Sequence, residues 1–184
     1  MQYKLTTPCT AEDLAPLKAG DTVLLSGVVY TARDQAHKRM LEALDKGEKL
    51  PFDLEGSAIY YVGPTPERPG EIIGSAGPTT SGRMDAMSPR LLDLGNKVMI
   101  GKGKRDAAVK EAVVRNGAVY LAALGGAGAL MAKSVKTLEV IAWPDLGCEA
   151  VRRLTVEQMP LTVILDAHGG DLYLSGPEAY RASR

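Results

Sequence analysis

Residues 21–32, DTVLLSGVVYTA, run without a break into residues 33–47, RDQAHKRMLEALDKG, and this junction constrains the fold more than any other feature. The first segment is β-branched and apolar and predicts a strand. The second places Ala36, Met40, Leu41 and Leu44 on one helical face, with Gly47 as a C-terminal cap. A strand feeding directly into an amphipathic helix is the unit of an α/β domain, and the pattern repeats. A second strand is predicted over Gly56–Gly63, a helix over Met84–Gly95, a strand over Lys97–Gly103, a helix over Lys104–Gly117 and a strand over Ala118–Gly126. AGALMAKSV then reads as a short helix. Beyond it the order changes. LEVIAW, RRLTVE and LTVILDA read as three further strands, separated by the loop or short helix DLGCEA and by Met159-Pro160. Alternation followed by a cluster of strands favours a three-layer or mixed α/β domain over a simple doubly wound sheet. At 184 residues, one domain over 1–184 has length enough for a full core.

Charge excludes several partners. The chain carries 22 basic and 22 acidic residues, so it presents no electrostatic footprint for nucleic acid or an anionic membrane. No apolar run approaches the roughly 20 residues of a membrane helix, and MQYKLTTPCT is too polar for an export signal. Two well-separated cysteines, Cys9 and Cys148, and two histidines, His37 and His168, do not make a self-contained metal site. The expected setting is cytoplasmic, with no metal held by this chain alone. Cys148 reads as a buried thiol and His168 as part of a turn. Glu149 is a weaker candidate for a supporting role.

Between the second strand and the next helix lies a long Pro/Gly-rich stretch, with room for at most one short strand at Glu71–Ile73. It ends in GPTTSGRM, residues 77–84. Gly77 and Gly82 have the spacing of a phosphate-binding loop, but Arg83 replaces its lysine and Met84 its hydroxyl. Methionine cannot ligate magnesium, whereas arginine offers a planar fork that fits a carboxylate. Two threonines, a serine and an arginine suit a small carboxylate better than a triphosphate. An ordinary turn with a solvated arginine is the plain alternative. Arg33 and Lys102 also follow predicted strands and precede predicted helices, where backbone N–H groups favour anions. Asp34 and His37, three residues apart, form either an oriented acid–base pair or a surface ion pair.

The ordered set TARDQAHKR, YYVGPTPERPGEIIGSAGPTTSGRMD, MIGKG, GGAGAL and LGCEAVRRLTVEQMPLTVILDAHGGDLY resembles the beta subunit of class I, iron–sulfur fumarate hydratases and the related tartrate dehydratases. The likeness runs from about Leu5 to Tyr173. It implies a swivelling β/β/α fold. It also implies a partner: a larger alpha subunit whose three cysteines hold a 4Fe–4S cluster with one iron open to substrate as a Lewis acid. By this resemblance Arg33, Arg83 and Lys102 hold a four-carbon dicarboxylate, Thr80 and Ser81 hydrogen-bond it, and Thr79 stands at the catalytic acid or base position. A threonine hydroxyl is a weak base, so neighbouring positive charge or a relay through Asp34 and His37 would have to assist it. The implied activity is interconversion of fumarate and L-malate by a hydro-lyase active only with its alpha subunit. L(+)-tartrate dehydration is the near alternative, and a stand-alone anion-binding or regulatory module is the alternative of another class. Magnesium-dependent nucleotide binding is a third, opposed by Arg83-Met84. A partner-dependent subunit also exposes apolar surface, and homodimerisation of the isolated chain is expected.

Overall fold

The computed structural model describes residues 1–123, 126 and 128–182. Seven strands form one sheet: β1 (Gln2–Thr6), β2 (Thr22–Thr31), β3 (Ala58–Tyr60), β4 (Val98–Gly101), β5 (Val119–Ala122), β6 (Val135–Ala142) and β7 (Val151–Leu165). Strands β2 to β5 pair parallel in sequence order, and β7 runs antiparallel to both β5 and β2. The five strands β2-β3-β4-β5-β7 therefore close on themselves like a barrel, with β1 added to β2 and β6 added to β7. Closure removes the two edges that an open five-stranded sheet would expose.

Side-chain alternation divides the apolar residues between two cores. Ala58, Tyr60, Val98, Ile100, Val119 and Leu121 pack in the barrel interior with Leu154, Val156, Leu161 and Val163 of β7. Their neighbours Ile59, Tyr61, Met99 and Tyr120 point the other way and pack with three helices. Those helices are α2 (Asp34–Asp45), α3 (Ser88–Asp93) and α4 (Ala107–Arg115). Strands β3, β4 and β5 are buried on both faces because each face has its own core. The arrangement is the β/β/α layering expected of the sequence.

Several elements differ from the sequence reading. RRLTVE and LTVILDA form one strand: β7 passes through Pro160, which pairs with Leu24, after a left-handed residue at Gln158 (φ 48°). Pro160 ends no strand because the long β2 pairs with β7 on both sides of it. The proposed strand at Glu71–Ile73 does not form. The helix expected over Met84–Gly95 is a 3₁₀ turn, Ser81–Met84, followed by α3. Two helices were not expected: α1 (Ala11–Leu14), closed by a Thr10/Asp13 capping box, and α6 (Leu172–Ala182), whose Gly176-Pro177 pair hid it. The short helix α5 covers Gly128–Lys133. The strand expected over Ala118–Gly126 ends at Ala122; residues 124 and 125 of it, and 125 and 127 of GGAGAL, lie outside the described residues. No helix among the described residues is long and apolar enough to cross a membrane.

Candidate functional site

The C-terminal ends of β2, β3 and β4 deliver the predicted residues to one end of the barrel. Arg33 and Asp34 follow β2 directly, Arg33 as the N-cap of α2. The 77–84 segment docks here through backbone bonds: Thr79 N–H donates to the Tyr61 carbonyl (2.8 Å) and Ser81 N–H to the Lys102 carbonyl (2.8 Å). Lys102 N–H in turn donates to Ser81 Oγ (3.0 Å), and Thr80 and Lys102 form a parallel bridge. Such close docking requires Gly101, where a Cβ would fall 2.0 Å from Ser81 Oγ. Arg33 lies over another glycine, since a Cβ at Gly63 would stand 2.5 Å from its Nη1.

The cations are not equivalent. Arg33 pairs with Glu149 (3.3 Å), whose other oxygen accepts the Gln35 N–H of the first turn of α2 (3.0 Å). Arg83, with 49% of its side chain exposed, pairs with Asp34. Lys102 is exposed and makes no ion pair with a described residue. Three cations thus face two carboxylates, which leaves a net positive ledge. Thr79 is half-buried, Thr80 exposed and Ser81 buried; neither threonine hydroxyl bonds a described residue. Arg83 sits in the 3₁₀ turn, and Asp106 rather than Lys102 caps α4, accepting Val109 N–H (2.9 Å). Of the three cations placed at helix starts, only Arg33 lies at one. The dipole argument therefore fails for Arg83 and Lys102, which docked loops bring in.

Asp34 and His37 make neither an acid–base pair nor a surface ion pair. His37 is fully buried beneath the ledge, its Nδ1 bonded to the Arg33 carbonyl (3.0 Å) and its ring edge-on to Tyr61. A carbonyl can only accept, so Nδ1 carries the proton and Nε2 presents a lone pair. Burial, aided by the charge of Arg105, lowers its pKa from 6.5 to about 4, so the imidazole is neutral at pH 7. Among the described residues three buried side-chain polar atoms lack a hydrogen-bond partner: Arg33 Nε, Asp34 Oδ1 and His37 Nε2. All three belong to the start of α2. Unpaired buried polar groups are costly and cluster where a ligand, water or partner completes them.

Cys148 is exposed rather than buried, its Sγ 4.0 Å from Arg33 Nη1. It lies on the surface segment Pro144–Glu149, outside both cores. Cys9 lies in the barrel interior, where burial first and Asp13 second push the thiol up to about 11. One interior and one surface thiol cannot share an iron–sulfur cluster. No group of three or more His, Cys, Asp or Glu side chains among the described residues is placed to hold a metal ion. His168 is in the turn after β7, as expected, its amide donating to Asp166. Concavities of about 540 and 460 Å³ flank residues 64–75, and neither is lined by Thr79, Arg83 or Lys102.

One residue escaped the sequence reading. Arg105 follows the noticed Lys102 by three positions and is completely buried, bonded to Asp85 and Ser88 under the ledge. Its only sequence signal is a cation in KRDAAV placed just before the α4 N-cap, which reads equally as a solvated helix flank.

Comparison with known proteins bears on this geometry. A family model described as Fumarase C-terminus matches residues 1–176. A Methanocaldococcus jannaschii protein with the provisional name L(+)-tartrate dehydratase subunit beta is 42% identical over 170 residues, covering 89% of this chain and 87% of that one. The L(+)-tartrate dehydratase subunit beta of Escherichia coli is 32% identical, covering 100% of this chain and 92% of its own. Fumarate hydratase 2 of Leishmania major is 39% identical over 88% of this chain, which spans 29% of that longer protein.

Proposed function

Because this chain belongs to the Fumarase C-terminus family, we propose that it is the beta subunit of a hydro-lyase that interconverts fumarate and L-malate. The alternative within the family is L(+)-tartrate dehydration, the reaction named for two of its relatives. The observation that carries the site is the trio of unpaired atoms at Arg33, Asp34 and His37, set beside the cations Arg83 and Lys102.

A dicarboxylate carries two negative charges, and the ledge offers it two forks and an ammonium. In the isolated chain, Glu149 and Asp34 occupy the guanidinium groups of Arg33 and Arg83. The exposed Arg83 can exchange its internal carboxylate for one on the substrate, with Lys102 adding unpaired charge. Dehydration removes a weakly acidic proton from the carbon beside one carboxylate while the hydroxyl leaves the adjacent carbon, a departure that the partner's iron would assist as a Lewis acid, so negative charge builds on that carboxylate in the transition state. Cations already fixed there stabilise it more than they stabilise the ground state. Thr79, whose hydroxyl bonds no described residue, is the assigned proton carrier, Thr80 orients the substrate, and the buried Ser81 acts through Lys102, whose N–H its Oγ accepts. His37, neutral and buried, offers Nε2 as an acceptor from below. Asp34 pairs with Arg83 and positions its guanidinium.

The 4Fe–4S cluster implied by the resemblance does not fit this chain's own thiols, and we assign it to an alpha subunit that closes over the ledge. A cytoplasmic setting accompanies this assignment. The stand-alone anion-binding module instead predicts tight binding of a dicarboxylate or phosphate by this chain alone and no turnover in any assembly. Initial rates with L-malate and L-tartrate on the enzyme assembled with its alpha subunit decide the substrate. Faster turnover of L-malate supports the fumarate assignment, and turnover of L-tartrate alone replaces it.

A further inference from the structure

The three loops that build the ledge meet beneath it at a single side chain. The Arg105 side chain is 0% exposed, and its Nε donates to Asp85 Oδ1 at 2.5 Å. Its Nη2 donates to Ser88 Oγ at 2.9 Å, and its Nη1 stands 3.3 Å from Met99 Sδ. The guanidinium carbon lies 5.4 Å from the Tyr61 ring centroid and 5.0 Å from that of Tyr120. Each contact leads to a different part of the site. Asp85 closes the 3₁₀ turn that carries Arg83, donating its own N–H to the Gly82 carbonyl and accepting the Asp106 N–H at 2.7 Å. Tyr61 supplies the carbonyl that holds Thr79 and the ring that packs against His37. The Tyr120 hydroxyl lies 2.9 Å from both Ser81 Oγ and the Gly103 carbonyl, the two residues that flank Lys102 in space and in sequence.

We infer that Arg105 is a positioning residue for the proposed reaction: its buried guanidinium fixes the loops bearing Thr79, Arg83 and Lys102 relative to one another without touching substrate itself. The planar fork is what the role requires, because it bonds Asp85 and Ser88 in its plane while presenting a cationic face to the aromatic rings. A lysine would keep the charge and lose the second bond and the flat face. Rigid support of this kind counts because displacing catalytic groups by about 1 Å costs on the order of 10²-fold in rate.

The inference rests on the proposed function for its kinetic consequence but not for its structural one, and the test separates them. Amide hydrogen exchange on the full chain would compare the natural protein with Arg105→Lys and Tyr120→Phe. Arg105→Lys is expected to raise exchange at least tenfold at Thr79, Ser81 and Lys102 while leaving Val23 and Leu25 of β2 unchanged. Tyr120→Phe is expected to loosen Ser81 and Lys102 and to spare Thr79. In the assembled enzyme Arg105→Lys is expected to lower kcat about 10²-fold with less than a tenfold change in KM. Exchange that is unchanged, or that rises uniformly across the sheet, overturns the positioning role. So does full activity of Arg105→Lys in an active assembled enzyme. A natural enzyme inert towards both acids refutes the functional assignment instead, and the exchange pattern still decides the role of Arg105.

Discussion

The two ends of the barrel are built from the same residue types and treat them in opposite ways. At the N-terminal ends of the parallel strands, Asp166 accepts three backbone N–H groups, from Ala19 (2.8 Å), His168 (2.9 Å) and Gly170 (2.8 Å). Asp21, close by, accepts the Lys18 N–H and the Met1 amine. Every bond there is internal, and the groups serve to tie the 166–170 turn and the segment before β2 to the barrel. At the opposite end Arg33, Asp34 and His37 each retain a buried atom unpaired among the described residues, and Lys102 has no counter-charge among them. A satisfied carboxylate stabilises a fold. An unsatisfied cluster costs stability and is retained where it meets another molecule.

That contrast predicts that substitutions at the two ends fall into separate classes. The largest effect is expected at the ledge: Arg83→Ala should reduce kcat/KM of the assembled enzyme by about 10²–10³-fold with its melting temperature unchanged. Asp166→Ala should behave in the opposite way. Burial alone would raise the Asp166 carboxyl, but the N–H groups of Ala19, Gly170 and His168 hold it below the usual carboxylate range. Losing their acceptor should cost about 2–4 kcal/mol in denaturant unfolding and leave turnover intact. A kinetic defect in Asp166→Ala, or an unfolding defect in Arg83→Ala, would break the contrast.

His37 sharpens it through pH. Its folded pKa of about 4 lies below the ordinary 6.5, so below pH 6.5 the unfolded chain binds a proton that the folded chain refuses. The stability it protects is whole above pH 6.5 and is lost as pH falls towards 4, by up to about 3 kcal/mol. Unfolding curves across that window should be flatter for His37→Phe. The smallest effect is expected from the exposed pair Arg115–Asp93 (2.8 Å): Arg115→Met should leave the unfolding midpoint nearly unchanged and cost nothing in rate.

The sequence carried the contrast only in part. Strand-to-helix alternation pointed to a three-layer or mixed α/β domain, because period-2 and period-3.6 patterns are local and β2 and α2 show them without interruption; the β/β/α layering itself was implied only by the family resemblance. Continuity of β7 was hidden, since Met159-Pro160 is a local break that only pairing with a distant strand overrides. Arg33, Arg83 and Lys102 could be singled out by residue type and by their places between predicted strands and predicted helices. Their meeting point could not, because it depends on backbone bonds from Thr79 to Tyr61 and from Ser81 to Lys102. Burial misled in both directions: Cys148 proved exposed, and Arg105 and His37 proved buried. A charged residue at a helix flank is ordinarily solvated, and nothing local marks the exception.

If this chain supplies half of an active site, turnover must depend on its partner. Fumarate hydration would be followed anaerobically with this chain alone, with the alpha subunit alone, and with the two assembled. Turnover is expected from the pair and from neither part. Turnover by this chain alone, or a pair inert towards both fumarate and L-tartrate, would contradict it.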